Sequence, residues 1–213
     1  MNYRKIWLCI YLFLFGLTGC TTLVEEAQFD SSRTSYPNLY EYLSLPDFEL
    51  PTPRLDADKV YLGLSGNGKF GVVDIQSEIV IIMFYSMYCR YCQKEAPRIN
   101  ELYRIIEDTA DYKDKIKIIG IGVRDSDHEV KKFKKYYHVS YPLFADADFS
   151  IARSLKIQGT PTFIAVKNNT SDKPMRISTE SGGLGDVSQF IKKIISYTEP
   201  ILSIEENYTN QKN

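Results

Sequence analysis

The chain is poor in the residues from which metal sites and disulfide frameworks are built: its 213 residues include four cysteines, two histidines and one tryptophan. It also lacks a long apolar run. The stretch Ile6 to Phe15 is well short of the roughly 20 apolar residues that a bilayer-spanning helix needs. No charge of one sign dominates, since 26 basic residues face 27 acidic ones for a net charge of −1. That balance excludes the positive footprint of a nucleic-acid-binding protein. What remains is an ordinary globular composition, 44% hydrophobic and 25% charged, with length enough for one domain with a core.

The first residues have the layout of a secretory leader: Arg4 and Lys5, the apolar run from Ile6, then small residues. Leu17, Thr18, Gly19 and Cys20 resemble the lipobox of bacterial lipoproteins. That resemblance implies cleavage before Cys20 and lipid on its thiol, and each buried lipid methylene adds about 0.8 kcal/mol of membrane attachment. The alternative is a short uncleaved anchor. Either way the expected location is the bacterial cell envelope, with the folded part outside the cytoplasm and a lipid bilayer as partner. The expected organisation is a leader over 1–19, a tether over 20–43, a domain over 44–199 and a loose polar tail over 200–213. Losing the leader removes Arg4 and Lys5 and moves the net charge from −1 to −3.

With Cys9 gone and Cys20 acylated, Cys89 and Cys92 are the thiols left to the domain. Closing so small a loop restrains the unfolded chain only slightly, so a stabilising staple is a poor explanation. Structural zinc takes four Cys or His ligands, and the two histidines, His128 and His138, fall in or at the end of one polar helix. Covalent haem needs a histidine directly after the second cysteine, where Gln93 stands. A redox pair needs no metal or organic cofactor, only the Cys89–Cys92 disulfide itself. A cysteine between a strand end and a helix start lies in the field of unpaired amides, which favours its thiolate, and Arg90 adds a cation. Cys89 is therefore the candidate nucleophile at the helix tip, and Cys92, one turn inward, the resolving thiol.

The periodicity around this pair predicts an α/β fold. "EIVIIMFYS" and "KIKIIGIGV" read as strands buried on both faces. Residues 90 to 110 read as a helix with Pro97 inside it, and "SDHEVKKFKKYYHV" as a helix capped by Ser126 and Glu129. "SYPLFADADFSIARSLKIQGTPTFIAV" predicts a short strand, a short helix, a turn at Gly159 to Pro161 and a further strand. "MRISTES" pairs beside that strand, and Asp186 caps a last helix. Upstream, "DKVYLGLSGNGKFGVVDI" reads as two short strands joined at Asn67-Gly68.

Together, "IVIIMFYS", the C-x-x-C at 89 to 92, "KEAP", "YPLFAD" and "GTPTF" resemble, over residues 44 to about 198, the thioredoxin superfamily and its membrane-tethered TlpA/ResA-like redoxin branch. The resemblance implies a thioredoxin-like three-layer α/β/α sandwich with a mixed central sheet and an N-terminal β-hairpin. It implies a thiol-disulfide oxidoreductase, a reductase by the branch, that works through a mixed disulfide with protein thiol or disulfide clients. One such client is an apocytochrome c cysteine pair, and a membrane thiol would supply electrons. It also implies that Thr160 and Pro161, the latter in cis, face the cysteines and bind substrate; a plain trans proline entering a strand is the alternative. Glu95 matches the acid of the branch motif and would hold or relay a proton, unless it is merely a helix-surface residue. Tyr88 and Tyr91 stand where the family has Trp and Pro and are assigned to substrate contact. Met83 occupies the buried strand position where thioredoxins often carry an acid. Reference potentials on this fold span about −270 to −120 mV, so the fold serves electron flow in both directions.

Two rival functions share the fold. A peroxiredoxin-like peroxidase is suggested by Ser86, three residues before Cys89, but that family's proline is replaced by Ile82. A non-enzymatic lipoprotein binding module has no need of both the cysteine pair and Thr160-Pro161. "GLSGNGKF" lacks the Ser or Thr and the following helix of a phosphate loop and reads as a turn. "KKFKK" at 131 to 135 reads as a solvated helix face around an inward Phe133.

Overall fold

The computed structural model describes residues 43–168 and 173–197. The leader, Cys20, the tether up to residue 42 and the tail lie outside the described residues.

Every residue of β3 (Ile79–Tyr85) and β4 (Ile116–Val123) is buried, as continuous Ile- and Val-rich runs require when helices cover both faces of a sheet. The two strands run parallel, with Ile79 opposite Ile116 and Tyr85 opposite Gly122. On the other side of β3, β6 (Thr162–Lys167) runs antiparallel, with Phe84 opposite Thr162. An edge strand flanks each side: β5 (Leu143–Asp146), parallel to β4, and β7 (Met175–Ser181), antiparallel to β6. The five-stranded mixed sheet thus has the order β5-β4-β3-β6-β7.

Strand alternation divides the core in two. Ile79, Ile81, Met83 and Tyr85 face α2 (Arg90–Asp108), α4 (Asp127–Tyr136) and α6 (Val187–Ser196), while Val80, Ile82 and Phe84 face α1 (Asp56–Leu62) and α5 (Ser150–Ser154). A short helix, α3 (Ala110–Lys113), links α2 to β4. The result is the expected thioredoxin-like three-layer α/β/α arrangement. The capping residues act as their side chains predict: Ser126 and Glu129 form a capping box on α4, and Asp186 accepts from the Gln189 amide on α6.

The strands expected around Asn67-Gly68 are corrected by the structure. Only the second forms, as β2 (Lys69–Phe70), and it pairs antiparallel with β1 (Leu50–Pro51) instead of with its neighbour in sequence. The intervening segment is helix α1, with Asp56 and Asp58 in its first turn, where the helix field favours acids. Gly63 ends it in the left-handed conformation (φ 67°), its amide returning to the Val60 and Lys59 carbonyls. Burial of Leu62 against the second core face outweighs the strand preference of Val60 and Tyr61.

Candidate active site

The parallel strands β3, β4 and β5 all end at one edge of the sheet, and the antiparallel β6 begins there. The Phe84–Thr162 pair therefore brings the loop after β3 beside the loop before β6. Cys89 lies in the first loop, and Thr160 and Pro161, joined by a cis peptide, lie in the second.

Cys89 is the N-cap of α2. Its Sγ accepts the Cys92 amide hydrogen at 3.2 Å and its thiol donates to the Thr160 carbonyl at 3.2 Å. Both cysteines are free thiols; Cys89 is partly exposed, while Cys92 is 0% exposed in the core beneath it. Burial raises the Cys89 pKa, but hydrogen bonds from the Cys92 thiol, the Thr160 side chain and the Cys92 and Tyr91 amides outweigh that effect and leave it below its ordinary value. Burial and the hydrogen bond to Cys89 both favour the protonated Cys92 and push it up to about 12. Iodoacetamide should therefore label Cys89 alone in the folded protein. The rate should rise with pH as the thiolate forms, with its midpoint below the ordinary thiol value of 9.0. Peptide mapping by mass spectrometry checks this, and comparable labelling of Cys92 would contradict it.

The loop before Cys89 is held from β4 and α4. Asp125, buried just past β4, accepts from the Ser86 hydroxyl at 3.1 Å and the Met87 amide at 2.7 Å. Burial raises its pKa, and these same donors work against the rise. The Ser86 carbonyl in turn accepts from the Cys89 amide at 3.1 Å. Tyr88 donates its hydroxyl to Glu129 at 2.6 Å, and Ser126 donates to the other Glu129 oxygen. Tyr88 and then Ser126 hold the Glu129 carboxyl down at about 2. Tyr88 and Tyr91, on either side of the nucleophile in sequence, are 75% and 69% exposed.

Glu95 is not a surface residue. It is buried on the inner face of α2, where its Oε1 accepts the Leu184 amide at 2.9 Å and its Oε2 lies 3.9 Å from Arg98. A Cβ at Gly183 would sit 3.3 Å from that carboxylate, so the loop after β7 closes directly over it. No hydrogen bond joins Glu95 to either sulfur among the described residues. Met83 is buried and accepts from the Tyr141 hydroxyl at 3.5 Å; the acid that contacts the active loop is Asp125, two residues past β4. Sequence reading missed Asp125, which stands among Asp127, Glu129 and Ser126 and so passes for helix-start charge. Its position directly after a fully buried strand was the available signal.

Among the described residues, no helix is long and apolar enough to cross a membrane. The sequence profile described as the AhpC/TSA family matches residues 44–174. The chain is 28% identical over 130 residues to the thiol-disulfide oxidoreductase ResA of Bacillus thuringiensis, covering 59% of this chain and 69% of that one. It is 24% identical over 123 residues to the ResA of Geobacillus thermodenitrificans, covering 58% and 67%. In three dimensions it is similar to a putative thiol:disulfide interchange protein DsbE from Chlorobium tepidum, with TM-score 0.54, 16% identity and coverage of 72% and 94%. A putative protein disulfide isomerase from Bacteroides thetaiotaomicron gives TM-score 0.52, 19% identity and coverage of 74% and 87%. These last two likenesses concern the fold.

Proposed function

Because the chain belongs to the AhpC/TSA family, as a TlpA/ResA-like thiol-disulfide oxidoreductase of the thioredoxin superfamily, we propose that it reduces protein disulfides in the bacterial cell envelope. The observation that carries the exchange chemistry of this reading is the division of labour between its sulfurs, one partly exposed and stabilised as thiolate, the other buried and held as thiol; the direction follows the ResA relatives.

In the forward reaction the Cys89 thiolate attacks a client disulfide, forming a mixed disulfide and releasing one client thiolate, which takes up a proton. Cys92 then gives up its proton and attacks the Cys89 sulfur. The second client thiolate leaves, and two electrons have passed to the client, with the Cys89–Cys92 disulfide left behind. Glu95, one helical turn beyond Cys92, is the carboxylate we assign to receive the Cys92 proton. Tyr88, Tyr91, Thr160 and Pro161 form the surface on which the client docks. A membrane thiol donor returns the electrons, acylated Cys20 keeps the domain of residues 44–199 at the bilayer, and an apocytochrome c cysteine pair is a fitting client. The peroxidase reading is less well supported, because the Ser86 hydroxyl is turned toward Asp125.

The test is the equilibrium reduction potential of the Cys89–Cys92 pair in glutathione or dithiothreitol buffers. A value near or below about −220 mV supports a reductase. One close to about −120 mV would make the protein an oxidant or isomerase instead. Absence of reversible titration would return it to the binding-module reading.

A further inference from the structure

Beside the cysteines, the active edge of the sheet carries an arginine pair that the exchange chemistry does not use. Arg124 directly follows β4, and its guanidinium lies 4.6 Å from the centre of the Phe149 ring, just past β5. Arg153, on α5, approaches the same ring at 5.4 Å. Stacking on an aromatic face fixes a guanidinium while leaving its in-plane N–H donors free. Both arginines are exposed, and neither forms an ion pair with a carboxylate among the described residues.

The backbone is built around this arrangement. Arg124 and Phe149 both adopt the left-handed conformation, φ 61° and 63°, which side-chain-bearing residues disfavour. One carbonyl, that of Asp146, accepts both their amides, at 2.9 and 3.1 Å. The Asp146 carboxylate is buried and taken up by the Ile151 and Ala152 amides. The nearby Asp148 is turned to the Ser150 amide. The local acids thus shape the loop without neutralising the arginines.

We propose that Arg124 and Arg153, set on Phe149, form a client-recognition subsite for a carboxylate side chain of the polypeptide being reduced. The proposal rests on the dithiol-exchange reading above and names the kind of client it favours. Strands lie about 4.8 Å apart, so the end of β5 is about 10 Å from the end of β3 that leads to Cys89. An extended chain advances about 3.3 Å per residue. A client that lies extended across these strand ends with its cysteine at Cys89 places on the subsite an Asp or Glu about three residues away. A peptide side chain is favoured over a lipid headgroup because the subsite shares its sheet edge with the nucleophile.

The test uses the full chain in detergent, reduced, with peptides carrying one cysteine as a neutral 2-thiopyridyl disulfide. The peptides differ only in having Glu or Gln three residues from that cysteine, and the readout is the Glu-to-Gln ratio of exchange rates within each protein. The expected ratio is about fivefold at low salt, falling toward one as salt screens the charges. It should also fall to one in Arg124→Asn/Arg153→Gln, where Asn suits the left-handed backbone. Lysines at both positions should restore part of it. A ratio of one in the unaltered protein, or a preference that survives the double variant, overturns the subsite. Arginine-dependent binding to phosphatidylglycerol vesicles without any peptide preference would also overturn it, in favour of a membrane contact. Failure to react with either peptide would instead sink the exchange reading on which the proposal stands.

Discussion

Cys92→Ser is expected to arrest exchange half-way, leaving Cys89 joined covalently to the client cysteine, whereas Cys89→Ser should form no adduct and lower the exchange rate by about 10³-fold or more. The asymmetry follows from placement. Cys89 reaches the surface at the N-cap of α2 and accepts an amide hydrogen there, so its thiolate is both accessible and stabilised. Cys92 is fully buried and held at about 12, so in the Cys89→Ser protein the remaining sulfur has neither access nor charge at neutral pH. In Cys92→Ser the mixed disulfide still forms, because the amides at the N-cap remain to stabilise the Cys89 thiolate, and the atom that would cleave it is gone. Mass spectrometry of the protein after reaction with a disulfide-containing peptide separates the two variants. Equal trapping by both would overturn the assignment of roles.

The largest effect on stability is expected at Phe133, where substitution by Ala should cost about 3–5 kcal/mol. Its ring is 0% exposed and lies 4.3 Å from that of Tyr85 and 4.6 Å from that of Tyr137. It fastens α4 to the sheet with help from Val130, since the rest of that helix is partly or fully exposed. Because Glu129 on the same helix receives the Tyr88 hydroxyl, the cavity should also loosen the loop that carries the nucleophile. Urea unfolding should show a lower midpoint with an unchanged slope. A loss below about 1 kcal/mol would mean that the neighbouring rings refill the space.

The parts of this protein that were legible in the sequence are those where local pattern and tertiary demand agree. β3 and β4 are apolar at nearly every position because helices cover both faces, and a run such as Ile79–Phe84 has few other solutions. Ser126, Glu129 and Asp186 announce their helices through their own capping chemistry. Helix α1 is hidden in the local pattern because Val60 and Tyr61 favour strands and Asn67-Gly68 favours a hairpin. The deciding influence, burial of Leu62 against the far side of the sheet, is not a local property. The same limit hid Asp125, whose partners Ser86 and Met87 are nearly 40 positions away. Glu95 could be read either as a relay or as a surface acid, and only the loop after β7, folding back over α2, places it in the interior.

The sulfur of Cys89 has two duties, as reacting atom and as the acceptor that caps α2. When the pair closes to a disulfide, that sulfur loses its charge and becomes a weak acceptor, so the first turn of a 19-residue helix gives up its cap. A capping interaction is worth about 1 kcal/mol, which in a two-electron couple is about 20 mV. The sign favours the dithiol, because the helix is better terminated when the pair is reduced. Helix termination and electron affinity are therefore linked quantities in this protein, and moving the cap to another residue would make the pair a slightly stronger donor.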